Sequence, residues 1–269
     1  MNFLSTINNQ KRLRVETAKT SVSPEVIQVI ARKARESAFP HAVTHALSDD
    51  SKINIIAEFK RRSPSKGEIK PNADPEIVAR GYESAGAAAV SVLTEEDYFD
   101  GSLDDLRAVR QSVSIPILRK DFIFDEYQVY ESAAVGADAL LLIVAALDDE
   151  TLTRLRRLAE DELRMDALVE VHTRAEMDRA IISGAKLIGV NNRNLSTFEV
   201  SLEVSAQLAP VAGAGVLLVS ESGIESMDDI RRLYDLGYRG FLIGESLMRS
   251  ADPGEGLKEF TQRREGAKE

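Results

Sequence analysis

Short apolar runs rich in Val, Ile, Leu and Ala recur along the chain, each followed by a polar loop and then an amphipathic stretch. They are INIIAEF from Ile53, AAAVSVL from Ala87, IPILRK from Ile115, ADALLLIVA from Ala137, DALVEV from Asp166, KLIGVN from Lys186, GVLLVSE from Gly215 and GFLIGE from Gly240. They are too apolar for strict in–out alternation, which predicts parallel strands covered by helices on their outer face. Helical signals lie between them. Residues 74–86 open with Asp74 as N-cap and Pro75 at the first helical position, and close on Gly86. Residues 125–138 end in the same way, further helical runs start at Asp148 and Thr173, and a stretch from Ser226 again joins an N-cap to a terminal glycine. Gly86, Gly136, Gly184 and Gly237 each precede a strand and suit the left-handed conformation that ends a helix.

Eight strand-then-helix units, spaced about 20 to 35 residues apart, predict a (β/α)8 barrel. An open doubly wound sheet is the alternative, but it would carry a glycine-rich fingerprint after its first strand, and EFKRRSPSKG is not one. Residues 1–52 are expected to form an N-terminal helical extension, residues 53–269 the catalytic barrel, and the two together one domain. Residues 23–37 read as an extra helix, either a lid under the barrel or a cover over its mouth. The tail from Thr261 is expected to fray.

Composition narrows the setting. The 269 residues are 43% hydrophobic and 29% charged, and no apolar run approaches the roughly 20 residues of a membrane span. The N-terminus lacks the pattern of a signal peptide, so a cytoplasmic location is expected. The absence of cysteine excludes disulfides, thiolate metal sites and a cysteine nucleophile. A net charge of -10 disfavours general nucleic-acid binding, yet allows a small anion held by a few local cations. His41 and His45, four apart without a third ligand nearby, read as surface or packing residues, and no metal is expected. A monomer is expected, because no strand edge or long apolar helix face is left over.

In such barrels the chemistry sits at the C-terminal ends of the strands. Those ends carry Glu58 and Lys60, then Lys120 and Asp121, then Glu170, then Asn191 to Asn194, then Ser220 to Gly223, and finally Gly244 to Ser246. One lysine or glutamate at a strand end is ordinary and often only enters solvent. Polar groups from six strand ends converging on one rim form a ring whose members can pair and split their pKa values, as proton transfer near neutrality requires. The last two ends place Gly223 and Gly244 beside small residues before a helical start, where backbone N–H groups can converge on a phosphate; tight turns alone are the plainer reading. His172 shares the face of Glu170 by alternation, and is either a second titrating group or a loop cap.

In order and spacing, AEFKRRSPSKG, VLTEEDYFDGS, LRKDFI, LVEVH, GVNNRNL, SESGI and LIGESLM resemble the motifs of the indole-3-glycerol-phosphate synthase family, over residues 53–248. The resemblance implies a carboxy-lyase of tryptophan biosynthesis acting on 1-(2-carboxyphenylamino)-1-deoxyribulose 5-phosphate. The five-membered ring closes, CO2 and water leave, and no metal or organic cofactor takes part. It implies a small-molecule substrate and neither nucleic acid nor membrane as partner. By resemblance Lys120 is the general acid, Lys60 holds substrate anions and helps expel the hydroxyl, and Glu170 and Glu58 are the carboxylates of proton transfer. Asn191 orients a polar group, Glu221 and Ser222 line the ribulose portion, and Arg193 offers a fork to the anthranilate carboxylate. Ser63, Ser222, Gly223, Gly244 and Glu245 are the phosphate-side positions, the last through its amide, since its carboxylate departs from the small residue often found there. Pro64, Phe99, Phe122 and Leu195 would wall the phenyl ring. Arg61, Arg62 and Lys66 have no assigned partner and read as solvated loop charge. The rivals are a barrel like phosphoribosylanthranilate isomerase, which relies on a cysteine missing here, and a non-catalytic phosphate-binding barrel, which has no use for Lys120 facing Glu170.

Overall fold

The structure, a computed structural model, describes residues 3–195 and 197–261. Eight parallel strands close into a barrel. They are β1 (Asn54–Phe59), β2 (Ala89–Leu93), β3 (Ile117–Lys120), β4 (Ala139–Ile143), β5 (Asp166–Val171), β6 (Leu187–Asn191), β7 (Leu217–Glu221) and β8 (Tyr238–Ile243). The ring closes where β1 pairs with both β2 and β8, with Ile56 opposite Ala89 and Asn54 opposite Gly240. Each of the eight predicted runs became a strand, and the open-sheet alternative falls with the closure.

Alternation sorts the side chains into two cores. Ile55, Ala57 and Phe59 of β1 pack outward against the helices. Ile56 points inward, with Ala89, Leu118, Ala139, Leu168, Leu187, Val219 and Leu242 from the other strands. The barrel interior is therefore filled rather than hollow, and its apolar layers set a floor beneath the polar strand ends.

The two caps predicted, Asp74 and Ser226, are in place, and the residues that open the runs at 125, 148 and 173 prove to be caps as well. Asp74 accepts N–H bonds from Glu76 and Ile77 at the start of α4 (Pro75–Ser84), and Gly86 takes the left-handed conformation after it. Asp125 caps α6 (Glu126–Ala134) in a capping box with Gln128, Asp148 caps α7 (Asp149–Arg157), Thr173 caps α8 (Arg174–Ser183) and Ser226 caps α10 (Met227–Asp235). These side-chain acceptors satisfy amides that the first turn leaves without partners. The described helices also include α5 (Leu103–Ser112), α9 (Glu203–Leu208), α11 (Glu245–Arg249) and α12 (Pro253–Thr261). Residues 262–269 of the tail lie outside the described residues.

The N-terminal extension forms three helices, α1 (Phe3–Ser21), α2 (Pro24–Arg35) and α3 (Ala42–Leu47). The helix read at residues 23–37 is α2, and it is neither the lid nor the cover expected of it, because its partner is a flanking helix; the mouth and the bottom fall to α1 and α3 instead. α1 borders the mouth, where Lys11 pairs with Asp121 just past β3 at 2.9 Å. α2 lies along α6 on the barrel flank, with Arg32 over the ring of Tyr130. α3 plugs the bottom by packing Val43 and Leu47 into the inner core.

That plug hangs on one carboxylate. Asp166, buried at the start of β5, accepts from the backbone N–H of Val43 at 2.9 Å and of Thr44 at 3.0 Å, and from the Thr44 hydroxyl at 2.6 Å. Asn54 adds a bond from its side-chain amide to the carbonyl of Leu47 at 2.9 Å. Replacing Asp166 with Ala orphans one buried and one half-buried amide and should cost about 3 kcal/mol of folding free energy in urea unfolding. The folded fraction should keep the secondary structure of the unaltered protein by circular dichroism, because the change is confined to the bottom of the barrel.

Candidate active site

The inward positions that are Ile56, Leu118, Leu168 and Val219 in the core become Glu58, Lys120, Glu170 and Glu221 one step further along their strands. A two-residue step keeps a side chain on the same face of a strand. The charged ring is thus the continuation of the apolar floor, and parallel register levels its members at one rim. A cavity of about 800 Å³ opens above it.

Lys120 is the centre of the ring. Its Nζ lies 2.5 Å from Glu221 Oε2 and 3.5 Å from Glu170 Oε2. Burial works against its charge, but Glu221, Glu170 and Glu58 outweigh burial and hold the ammonium above the usual lysine range. Lys60 Nζ donates to Glu58 Oε1 at 2.5 Å. Burial opposes the ionisation of Glu58, but Lys60 and Lys120 overcome it and keep this carboxyl below its ordinary value. Glu221 goes the other way. Burial pushes it up to about 7 against the pull of Lys120, with Glu170 and Glu58 adding to the rise. Glu58 and Glu221 therefore differ in proton affinity, the condition for acid and base to coexist at one pH.

Every residue expected at the site lines this cavity except Glu221, which touches it through Lys120. Ser63, Pro64, Phe99, Phe122, Arg193 and Leu195 form its walls. The rings of Phe99 and Phe122 lie 6.4 Å apart at a tilt and make an apolar side. Asn191 accepts the backbone N–H of Arg193 at 3.0 Å, fixing the turn after β6. Ser222 and Gly223 both have positive φ, 67° and 79°, directly after β7. A Cβ on Gly223 would meet a methyl of Val200 at 2.5 Å, so the tight turn needs glycine on two counts.

Three expectations change in detail. Arg61 is not solvated loop charge: it grips both oxygens of Asp105 at 2.7 Å and reaches the carbonyl of Asp100. Lys66 lies 3.8 Å from Glu245, and Arg62 is exposed. The Glu245 carboxylate gathers cations, with Arg249 at 3.1 Å and Arg193 at 3.8 Å. Asp121, delivered beside Lys120, faces away from the ring and pairs with Arg119 at 3.0 Å and with Lys11. His41 caps α3 in a left-handed conformation and His45 packs edge-on against Phe39, as the packing reading had it.

The comparisons with known proteins fall on this picture. The family model described as indole-3-glycerol phosphate synthase matches residues 4–260. The chain is 47% identical over 260 residues to an indole-3-glycerol phosphate synthase of Carboxydothermus hydrogenoformans, covering 95% of this chain and 98% of the relative. It is 48% identical over 253 residues to one of Syntrophobacter fumaroxidans, covering 93% and 94%. Among solved structures, 3-hexulose-6-phosphate synthase from Salmonella typhimurium superposes with a TM-score of 0.63 at 13% identity, over 78% of this chain and 97% of that one. At that identity it shares the barrel and nothing more is drawn from it.

One site residue escaped the sequence reading. Gly189, inside β6, leaves room for a neighbour: a Cβ there would lie 2.1 Å from Oε1 of Glu221. The signal was a glycine within the apolar run KLIGVN, a mark of close approach. Gly244 serves Glu58 likewise, at 2.4 Å. Gly189→Ala should push the Glu221 carboxylate off Lys120 and lower kcat by up to about 10²-fold, with a thermal unfolding midpoint close to that of the parent. Unchanged kcat would show that Glu221 needs no such seat.

Proposed function

The chain belongs to the indole-3-glycerol phosphate synthase family, and on that premise we propose which residues carry the reaction. The protein is a carbon–carbon lyase of tryptophan biosynthesis. It closes the indole ring of 1-(2-carboxyphenylamino)-1-deoxyribulose 5-phosphate with loss of CO2 and water.

In the first step the aromatic carbon bearing the carboxylate attacks the ribulose ketone. A carbon–carbon bond forms, and the ketone oxygen takes a proton from the Lys120 ammonium. The carboxylate then leaves as CO2, and its electron pair restores the aromatic ring. In the last step the new hydroxyl departs as water with a proton from Lys60, while Glu170 accepts a proton from the ring being formed. Glu58 holds Lys60 in place through the bond to its Oε1. Glu221 anchors Lys120, and its raised affinity for a proton lets it buffer the lysine between the two proton transfers. Two protons enter and one is taken up by the base, so the site draws one proton from solvent in each turnover.

The phenyl ring lies against Phe99, Phe122, Pro64 and Leu195, and Arg193 faces the anthranilate carboxylate. The phosphate sits at Ser63, Ser222, Gly223 and Gly244, with the backbone N–H of Glu245. Ser63 supports this reading, because its buried hydroxyl has no hydrogen-bond partner and borders the cavity. The observation that carries the whole assignment is one ammonium on β3 within reach of carboxylates from β5 and β7, in the same cavity as the Lys60–Glu58 pair.

Lys120→Ala should cut turnover by about 10² to 10⁴-fold while substrate still binds, followed by the absorbance or fluorescence of the indole ring. Normal turnover by that variant would remove Lys120 as the acid. We infer that the protein acts in the cytoplasm and is a monomer of one domain; the closed barrel supports the monomer, because its eight strands leave no edge for a partner. Light scattering should give the mass of one chain, and a stable dimer would overturn it.

A further inference from the structure

The two oxygens of Glu170 face different partners. Oε2 lies 3.5 Å from Lys120 Nζ, whereas Oε1 lies 3.4 Å from Nε2 of His172. The chemistry described above leaves that histidine without a role. It stands two residues past Glu170, on the same face, and its side chain is largely buried. From its other side Glu176, in the first turn of α8, brings Oε2 to 3.2 Å from Nδ1. The same oxygen accepts the backbone N–H of His172 at 2.7 Å, so Glu176 meets this residue at its backbone and at its ring.

Each ring nitrogen therefore faces a carboxylate oxygen. A neutral imidazole has one N–H and one lone pair, and would turn that lone pair on one of the two anions. Only the doubly protonated ring meets both as a donor. Nε2 is buried and makes no aligned hydrogen bond, so its proton is free to engage Glu170 with a small movement of that carboxylate. Glu221 of β7 adds a third negative charge toward the ring, and Arg174 of α8 lines the cleft of about 320 Å³ on its outer side.

We propose that His172 is a positioning residue that, as an imidazolium clamped by Glu176, keeps Glu170 oriented and ionised so that it can accept a proton. The inference rests on the reading of Glu170 as the base. Lys120 cannot do this alone, since it lies closer to Glu221 and is shared. Burial alone would discharge the ring, but Glu176, Glu170 and Glu221 overcome burial and raise its proton affinity above that of an ordinary histidine.

The sign of the effect follows. Without the imidazolium, Glu170 is buried among like charges and binds a proton more readily. A base that must be deprotonated then works only at higher pH. In His172→Gln the acidic limb of kcat/KM should move upward by about one pH unit. Activity should fall about tenfold near pH 6 and far less near pH 8. Glu176→Gln should shift the limb the same way by less. Nitrogen-15 spectra of the three histidines should show His172 protonated at both nitrogens at pH 7, and its titration should move down in Glu170→Gln. An unmoved limb, a loss equal at every pH, or a singly protonated His172 at pH 7 would overturn the proposal. If Glu170→Gln kept full activity, the base assignment would fall while the spectra still reported the clamp. An inactive Glu170→Gln with a neutral His172 would sink the clamp alone.

Discussion

A single buried ammonium, shared by carboxylates from three other strands, is the constraint around which the molecule is arranged. Lys120 has Glu221 and Glu170 within 3.5 Å, and Glu58 close enough to raise its proton affinity. Taking such charges out of water is costly, and their mutual attraction repays the cost only when the geometry is good. A loop could not hold four charged groups to that tolerance. Parallel strands can, because the ladder fixes each inward side chain relative to the next, as where Asn191 stands opposite Glu221 and Ile143 opposite Glu170. Glycine completes the arrangement by withholding atoms where a carboxylate must lie, at Gly189 beneath Glu221 and at Gly244 beside Glu58.

The same strands carry a second set of charges on their outward faces. Arg119 and Asp121 flank Lys120 and point the other way, into a buried network with Thr94, Glu131 and Lys11. Lys11 belongs to α1, which also ties Arg14 to Asp97 and Lys19 to Asp125. Those acidic partners lie in the loops that bear Phe99 and Phe122. Arg61 performs a similar service from the loop after β1 by gripping Asp105. The aromatic wall of the cavity is thus held from behind by ion pairs that never enter it. Glu95 folds the same segment from within, accepting the backbone N–H groups of Asp97, Tyr98 and Phe99.

What could be read from the sequence follows from range. Strand and cap signals are local, so the eight strands, the N-caps Asp74 and Ser226, and the glycine terminators were all legible. Alternation carried that legibility into the site, since it assigns Glu58 and Lys60, or Glu170 and His172, to one face before any coordinates exist. α1 was not recognised as a helix bordering the mouth, because it docks largely through Lys11, Arg14 and Lys19, and their partners lie more than eighty residues away. Arg61 was misjudged for the same reason, its partner being 44 residues distant. Gly189 carried a signal, but that signal names no partner, and only the fold brings Glu221 to it.

The two ends of the barrel answer opposite demands. At the bottom, Oδ1 of Asn54 excepted, the polar groups named above are closed on one another: Asp166 takes three donors from α3, and Asp138 takes Arg35, Arg110 and the amide of Ile117. Such groups contribute stability and have no valence left for a ligand. At the mouth the polar groups are left partly unsatisfied, as in the Ser63 hydroxyl, one oxygen of Glu221 and Nε2 of His172. Unmet donors and acceptors cost stability in the empty site and are the ones a substrate or a moving proton can use. A fold that spent its hydrogen bonds evenly at both ends would be more stable and would have nothing with which to perform the reaction. The contrast is possible because every strand runs the same way, so all eight deliver their starts to one face and their ends to the other.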